Sequence, residues 1–151
     1  MTTHDRPFPV PPFAQSCVEA ADQAWQASFE HPFVLALSSG ELDARRFKFY
    51  QMQDARYLEA FSDAAALIST RCVRPTDKLW FVDAAKMALE VEGELHAGYG
   101  EQLGYGPEDI AALEPTPNNH AYQNHMIAAA QRRALVEAVA ALPPCPWLYI
   151  D

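Results

Sequence analysis

The stretch "LDARRFKFYQMQDARYLEAFSDAAALIST", residues 42–70, contains neither glycine nor proline. Phe47, Tyr50, Asp54, Tyr57 or Leu58, and Phe61 recur in it at three-to-four-residue spacing, which lines them up on one face of an α-helix. Asp43 can open that helix as its N-cap. The face is aromatic except for one carboxylate, and an ionised carboxylate is expensive to bury without a partner. Two readings of Asp54 follow. Either it meets an arginine or the solvent edge of the stripe, or it pairs with the amidine-like or aminopyridine-like edge of a ligand, with Tyr50 and Tyr57 as ring walls.

The same helical grammar extends in both directions. Upstream, Cys17, Val18, Ala21, Trp25 and Phe29 mark the buried face of a helix over residues 13–29. "HPFVLALSSG", residues 31–40, reads as a short helix opened by Pro32 and stopped by Gly40. Downstream, "RCVRPTD" breaks the chain and a second long helix runs from Thr76 or Asp77 to Gly104. Gly93 and Gly98 inside it suggest close packing or a bend, since each costs about 1 kcal/mol against alanine. Pro107 opens a short helix, "PTPNN" (115–119) forms a turn, and helices follow over "HAYQNHMIAAA" and "RRALVEAVAAL", the last stopped by Pro143 and Pro144. No run alternates as a strand does, so the fold class is all-α, with an extended Pro-rich arm over residues 1–12 and one helical domain over 13–151.

With 151 residues, half of them hydrophobic and 21% charged, the chain can bury a genuine core in a single unit. Its net charge of −9, with no basic run, repels phosphate backbones and anionic lipid, which argues against nucleic acid and membrane partners and for a neutral or cationic small molecule. Cys17, Cys72 and Cys145 are too far apart and too few for a disulfide framework or zinc knuckle, which points to a reducing cytoplasm. Neither a spanning apolar run nor a signal-peptide pattern is visible.

Three constellations could carry chemistry. Glu92 and His96 lie one turn apart, a spacing that suits a metal ion or a simple helix-stabilising pair; a di-iron carboxylate bundle would need Glu-x-x-His on two helices, and neither half appears. Tyr122 and His125 share one face of the "AYQNHM" helix, either as a core pair or as pocket lining. Cys145, in "LPPCPWLYID" (142–151), follows two prolines and would occupy the first turn of a helix, where the backbone dipole favours a thiolate. A free cysteine is far more often a small core residue than a nucleophile, the reading given to Cys17 and Cys72 and, on pattern alone, to Cys145.

"HPFV", "G-x-L", "F-x-x-Y", "QDARYL", "E-x-x-LH", "P-T-P" with "AYQNHM", and "LPPCPWLY" follow one another between Trp25 and Tyr149. In this order and spacing they resemble the TenA family, the thiaminase II enzymes of the TENA/THI-4 group. The resemblance implies a haem-oxygenase-like helical bundle and hydrolysis of thiamin or its aminopyrimidine breakdown products to hydroxymethylpyrimidine. Carried over position by position, it makes Cys145 the nucleophile and Asp54 the anchor of the pyrimidine edge. Tyr57, Tyr122 and Tyr149 then stack on or hydrogen-bond around the ring. It implies no cofactor or metal, and a homo-oligomer, commonly a tetramer.

Family members continue by roughly another third beyond the cysteine motif, through helices that supply an acid-base glutamate. Glu137 matches no family position. The C-terminal helices missing from this chain imply an exposed apolar patch. They leave open a catalytically inactive pyrimidine-binding or interaction module, and a di-iron oxygenase on the same fold using Glu92 and His96.

Overall fold

The computed structural model describes residues 9–150, apart from the side chains of Val91, Glu92, Leu95, His96 and Ile150. The expected arm falls largely in residues 1–8, outside the described residues, and helix has already begun at Pro12. All regular structure among the described residues is helical, and none of these helices is long and apolar enough to cross a membrane. The chain divides into two compact units, one of residues 44–144 and one of residues 1–43 with 145–151.

The larger unit is organised by α4 (Ala44–Arg71), which starts directly after Asp43 as its sequence requires. Three residues separate it from α5 (Pro75–Leu103), so the two long helices form an antiparallel hairpin. Phe81, Ala85 and Ala88 recur at helical spacing and are buried from α5, while α4 contributes the small residues Ser62, Ala64, Ala65 and Ser69 beside Ile68. Small side chains let the axes approach closely. α5 begins at Pro75 rather than Thr76 or Asp77, because a proline is pre-shaped for the first helical position. Gly104, with φ +68°, ends it.

Packed against α4 are α6 (Pro107–Ala112), α7 (Pro117–Arg132) and α8 (Leu135–Ala140). The expected turn over 115–119 is shorter than the sequence suggests. Pro117 is already the first residue of α7, and the Thr116 hydroxyl caps it by accepting the Asn119 N–H at 3.4 Å. At the far end of α7 the Arg71 guanidinium donates to the carbonyls of Ala129, at 3.4 Å, Ala130 and Arg133, adding a side-chain donor where the last turn runs out of backbone N–H partners. Met126, fully buried, and Ala129 and Ala130 form the core-facing stripe of α7.

A smaller apolar cluster joins Met52 and Ala55 of α4 to Tyr105 and Ile110, with Tyr99, Leu103 and Leu113 around them. Its tightest point is Gly100, where a Cβ would stand 2.7 Å from the Tyr105 carbonyl oxygen. Gly93 and Gly98 meet nothing within 4 Å, so the close packing expected at those two glycines occurs at Gly100 instead. Lys48 ties the same corner down, donating from Nζ to the Gly104 carbonyl at 2.7 Å while lying 5.9 Å from the centre of the Tyr105 ring. On α5, Leu79, Trp80, Val82, Met87 and Leu89 remain exposed.

The smaller unit contains α1 (Pro12–Ala20), α2 (Asp22–Phe29), α3 (Pro32–Ser39) and, from Cys145 onward, α9 (Pro144–Ile150). The single helix expected over 13–29 is two helices. Ala21, at φ −101° and ψ 4°, shares its N–H between the carbonyls of Cys17 and Val18, and this tightened turn interrupts the register. Val18 and Trp25 are buried, whereas Cys17, one position round the helix from Val18, is exposed; it is not the core residue expected of it. Cys72 is buried as expected. His31 caps α3 through Nδ1, and Gly40, at φ +75°, closes it. The rings of Trp25 and Trp147 meet edge to face with centres 6.1 Å apart.

Candidate functional site

The middle of α4 carries Asp54 and, one turn on, Tyr57. Asp54 is half-buried, and burial pushes its carboxyl from an ordinary value of 3.8 up to about 6. Among the described residues it has no ion pair, so the arginine reading of this carboxylate is not realised. Its negative charge is felt by the Tyr105 phenol, which is raised above its ordinary value first by burial, then by Asp54 and Tyr99.

The buried ring of Tyr57 lies almost parallel to that of Tyr122 from α7, with 7° between planes and centres 5.8 Å apart. Phe61 extends the aromatic wall from the next turn of α4, its ring centre 6.0 Å from that of Tyr57. The Tyr122 hydroxyl donates to the Ala141 carbonyl at 3.2 Å, fixing the outer end of the pair. Three of the residues singled out by sequence therefore share one region of the larger unit. His125, next on the Tyr122 face, is exposed.

Cys145 and Tyr149 belong to the smaller unit, one turn apart on α9. Cys145 is half-buried in the first turn, where the preceding prolines place it, and Tyr149 is 69% exposed. The side chains of Glu92 and His96 lie outside the described residues, and no cluster of His, Cys, Asp and Glu that could hold a metal ion occurs among those described.

Two glutamines beside Asp54 carry no signal in the helical pattern. Gln53 is only 8% exposed and bonded at both ends of its carboxamide: its Nε2 donates to the Glu114 carbonyl at 3.0 Å, and its Oε1 accepts the Thr116 N–H and Asn119 Nδ2, each at 2.9 Å. Gln51, equally buried, has an Oε1 with no hydrogen-bond partner among the described residues. A cavity of about 590 Å³ in the same unit is lined by Glu59, Leu89, Glu101, Tyr105 and Ile110 among others, and by none of Asp54, Tyr57 or Tyr122.

Comparison with known proteins bears on the family and the fold. The profile of the TENA/THI-4/PQQC family matches residues 18–150. An aminopyrimidine aminohydrolase of Halalkalibacterium halodurans is 34% identical over 142 residues, which cover 92% of this chain and 62% of the relative. One of Bacillus subtilis is 32% identical over 139 residues, covering 92% and 59%. Among solved structures, a TenA homologue from P. horikoshii OT3 superposes with a TM-score of 0.83 at 36% identity, over 89% of this chain and 63% of that one. The chain thus spans about three fifths of the length of the relatives it matches. A match over nearly the whole of this sequence, a shared all-α fold and an identity above 30% lead to one conclusion: the chain belongs to the TENA/THI-4/PQQC family.

Proposed function

We propose that this chain hydrolyses an aminopyrimidine breakdown product of thiamin, or thiamin itself, to hydroxymethylpyrimidine. The observation that carries the reading is Asp54, a half-buried carboxyl lifted to about 6 and one turn of α4 from Tyr57, whose ring stacks on that of Tyr122. A carboxyl held near neutrality can share a proton with the ring nitrogen of an aminopyrimidine while accepting a hydrogen bond from its amino group. Aromatic walls with few polar anchors suit a flat neutral ring. The names of the relatives support the substrate class.

In this reading the Cys145 thiolate adds to the pyrimidine ring, which takes up a proton, and the exocyclic amine leaves protonated. Water then takes the vacated carbon, the ring loses its added proton, and the thiolate departs. The net reaction consumes one water and releases ammonia and the hydroxymethyl product. Tyr57, Tyr122 and Tyr149 stack on the ring or hydrogen-bond around it. Cysteines outside any disulfide, Cys17 exposed among them, support operation in a reducing cytoplasm, and the exposed apolar side chains of α5 support a homo-oligomer, commonly a tetramer in the resemblance.

Incubation with aminomethylpyrimidine and with thiamin, followed by chromatography of hydroxymethylpyrimidine, tests the reading. Turnover that disappears in Cys145→Ala supports it, and turnover unchanged by that substitution overturns the nucleophile. Pyrimidine binding in calorimetry without turnover identifies a binding module in place of an enzyme.

A further inference from the structure

Gln53 and Tyr57 stand four residues apart on α4, and Asn119 and Tyr122 three apart on α7, so each pair occupies one helix face. The structure couples them as two successive rungs. The first rung is polar: Asn119 Nδ2 donates both to the Gln53 main-chain carbonyl, at 2.8 Å, and to its Oε1, at 2.9 Å. The second rung is the parallel stack of Tyr57 on Tyr122.

The polar rung has more anchors than a single contact would give. One buried carboxamide holds the chain at Glu114, Thr116 and Asn119, while Gln123 Nε2 donates to Asn119 Oδ1 at 3.0 Å and braces it from the next turn. Moving α7 by one residue along α4 would shift it by about 1.5 Å and rotate its side chains by about 100°. That slip would break the hydrogen bonds and unstack the rings together. Apolar stripes tolerate such slips, whereas a directional polar network anchored on a buried carboxamide does not.

We infer that Gln53 is a positioning residue for the pyrimidine site, setting the register of α7 on α4 so that Tyr122 lies flat on Tyr57 one turn from Asp54. This rests on the proposed function for the identity of the ligand, but not for the geometry. As a neutral group, Gln53 anchors the neighbouring helix without placing a charge beside the Asp54 carboxyl.

The test compares the chain with its Gln53→Met variant, which keeps the side-chain length and removes the carboxamide. Near-ultraviolet circular dichroism reads the stacked tyrosines, far-ultraviolet circular dichroism reads helix content, and calorimetry reads affinity for aminomethylpyrimidine. The variant should keep its helix content, lose tyrosine band intensity and bind about tenfold or more weakly, a coupling typical of residues in one network. In a Tyr122→Leu background the same substitution should change affinity by less than about twofold.

Unchanged band and affinity, or an equal further loss in the Tyr122→Leu background, overturn the inference. If the wild-type chain takes up no pyrimidine, the substrate reading fails, and the near-ultraviolet band alone decides the positioning role. If Gln53→Met does not fold, Asn119→Ala, which removes both bonds to Gln53 and the one from Gln123 at a half-buried site, replaces it with the same expected outcomes.

Discussion

Replacing Asp54 by asparagine should stabilise the protein increasingly as pH rises. The carboxyl is lifted in the folded chain from 3.8 to about 6, and burial is the cause. A carboxyl with a raised folded value binds its proton more tightly in the native state. Folding is therefore unaffected by it below about pH 3.8 and progressively opposed between there and about pH 6, with the full penalty present above. Two units correspond to about 3 kcal/mol at most, and the partial exposure of Asp54 reduces this to about 2 kcal/mol through solvent screening.

Asparagine has nearly the same shape and no proton to lose, so it removes that dependence. Urea unfolding followed by far-ultraviolet circular dichroism, on both proteins from pH 4 to pH 8, measures the effect. Near pH 4 the two should unfold within about 0.5 kcal/mol of each other, whereas at pH 8 the variant should be more stable by about 2 kcal/mol, or about 1 M urea in midpoint. Because only the difference is read, groups common to both proteins cancel. A difference that stays constant across the range, or a variant less stable at pH 8 than at pH 4 relative to wild type, would refute the reasoning that Asp54 is ionised at a desolvated position.

Two further outcomes follow from packing. Gly98→Ala, in an open helix interior, should raise stability by about 0.5–1 kcal/mol, while Gly100→Ala, two residues on, should lower it by about 1–3 kcal/mol because its Cβ meets the Tyr105 carbonyl; thermal unfolding of the pair distinguishes them. Arg71→Met should destabilise by about 2–4 kcal/mol, since the carbonyls of Ala129, Ala130 and Arg133 lose one shared donor, and hydrogen exchange should show it as faster opening of the last turn of α7.

Element type was legible wherever proline and glycine punctuate the chain. Pro32, Gly40, Gly104 and Pro107 bound helices in the structure as the sequence reads, because the restricted φ of proline and the left-handed tolerance of glycine act locally. The break at Ala21 was not legible, for no residue there resists helix; Val18 and Trp25, on either side of the turn, are both buried. Pro75 and Pro117 were read as breakers rather than openers, which displaced two helix starts.

In the site, Asp54 was visible as the odd residue in an aromatic stripe. The Gln53 and Asn119 contact was not, because it joins positions 66 residues apart and periodicity reports only on one helix at a time. The glycines of α5 miss for a different, local reason: Gly100 is the constrained one because the chain turns back at Gly104 and brings the Tyr105 carbonyl over it, which helical periodicity does not report.

The Trp25 and Trp147 contact has a consequence for synthesis on the ribosome. Residues 44–144 are contiguous and can condense as they emerge, but the smaller unit draws on residues 1–43 together with 145–151. Its N-terminal helices must therefore wait while about a hundred further residues are made, roughly 5–20 seconds at ordinary elongation rates. During that interval the indole of Trp25 lacks the ring it meets in the finished fold. Nascent chains halted before Trp147 has emerged should hold an unfinished first segment, open to chaperones throughout that interval.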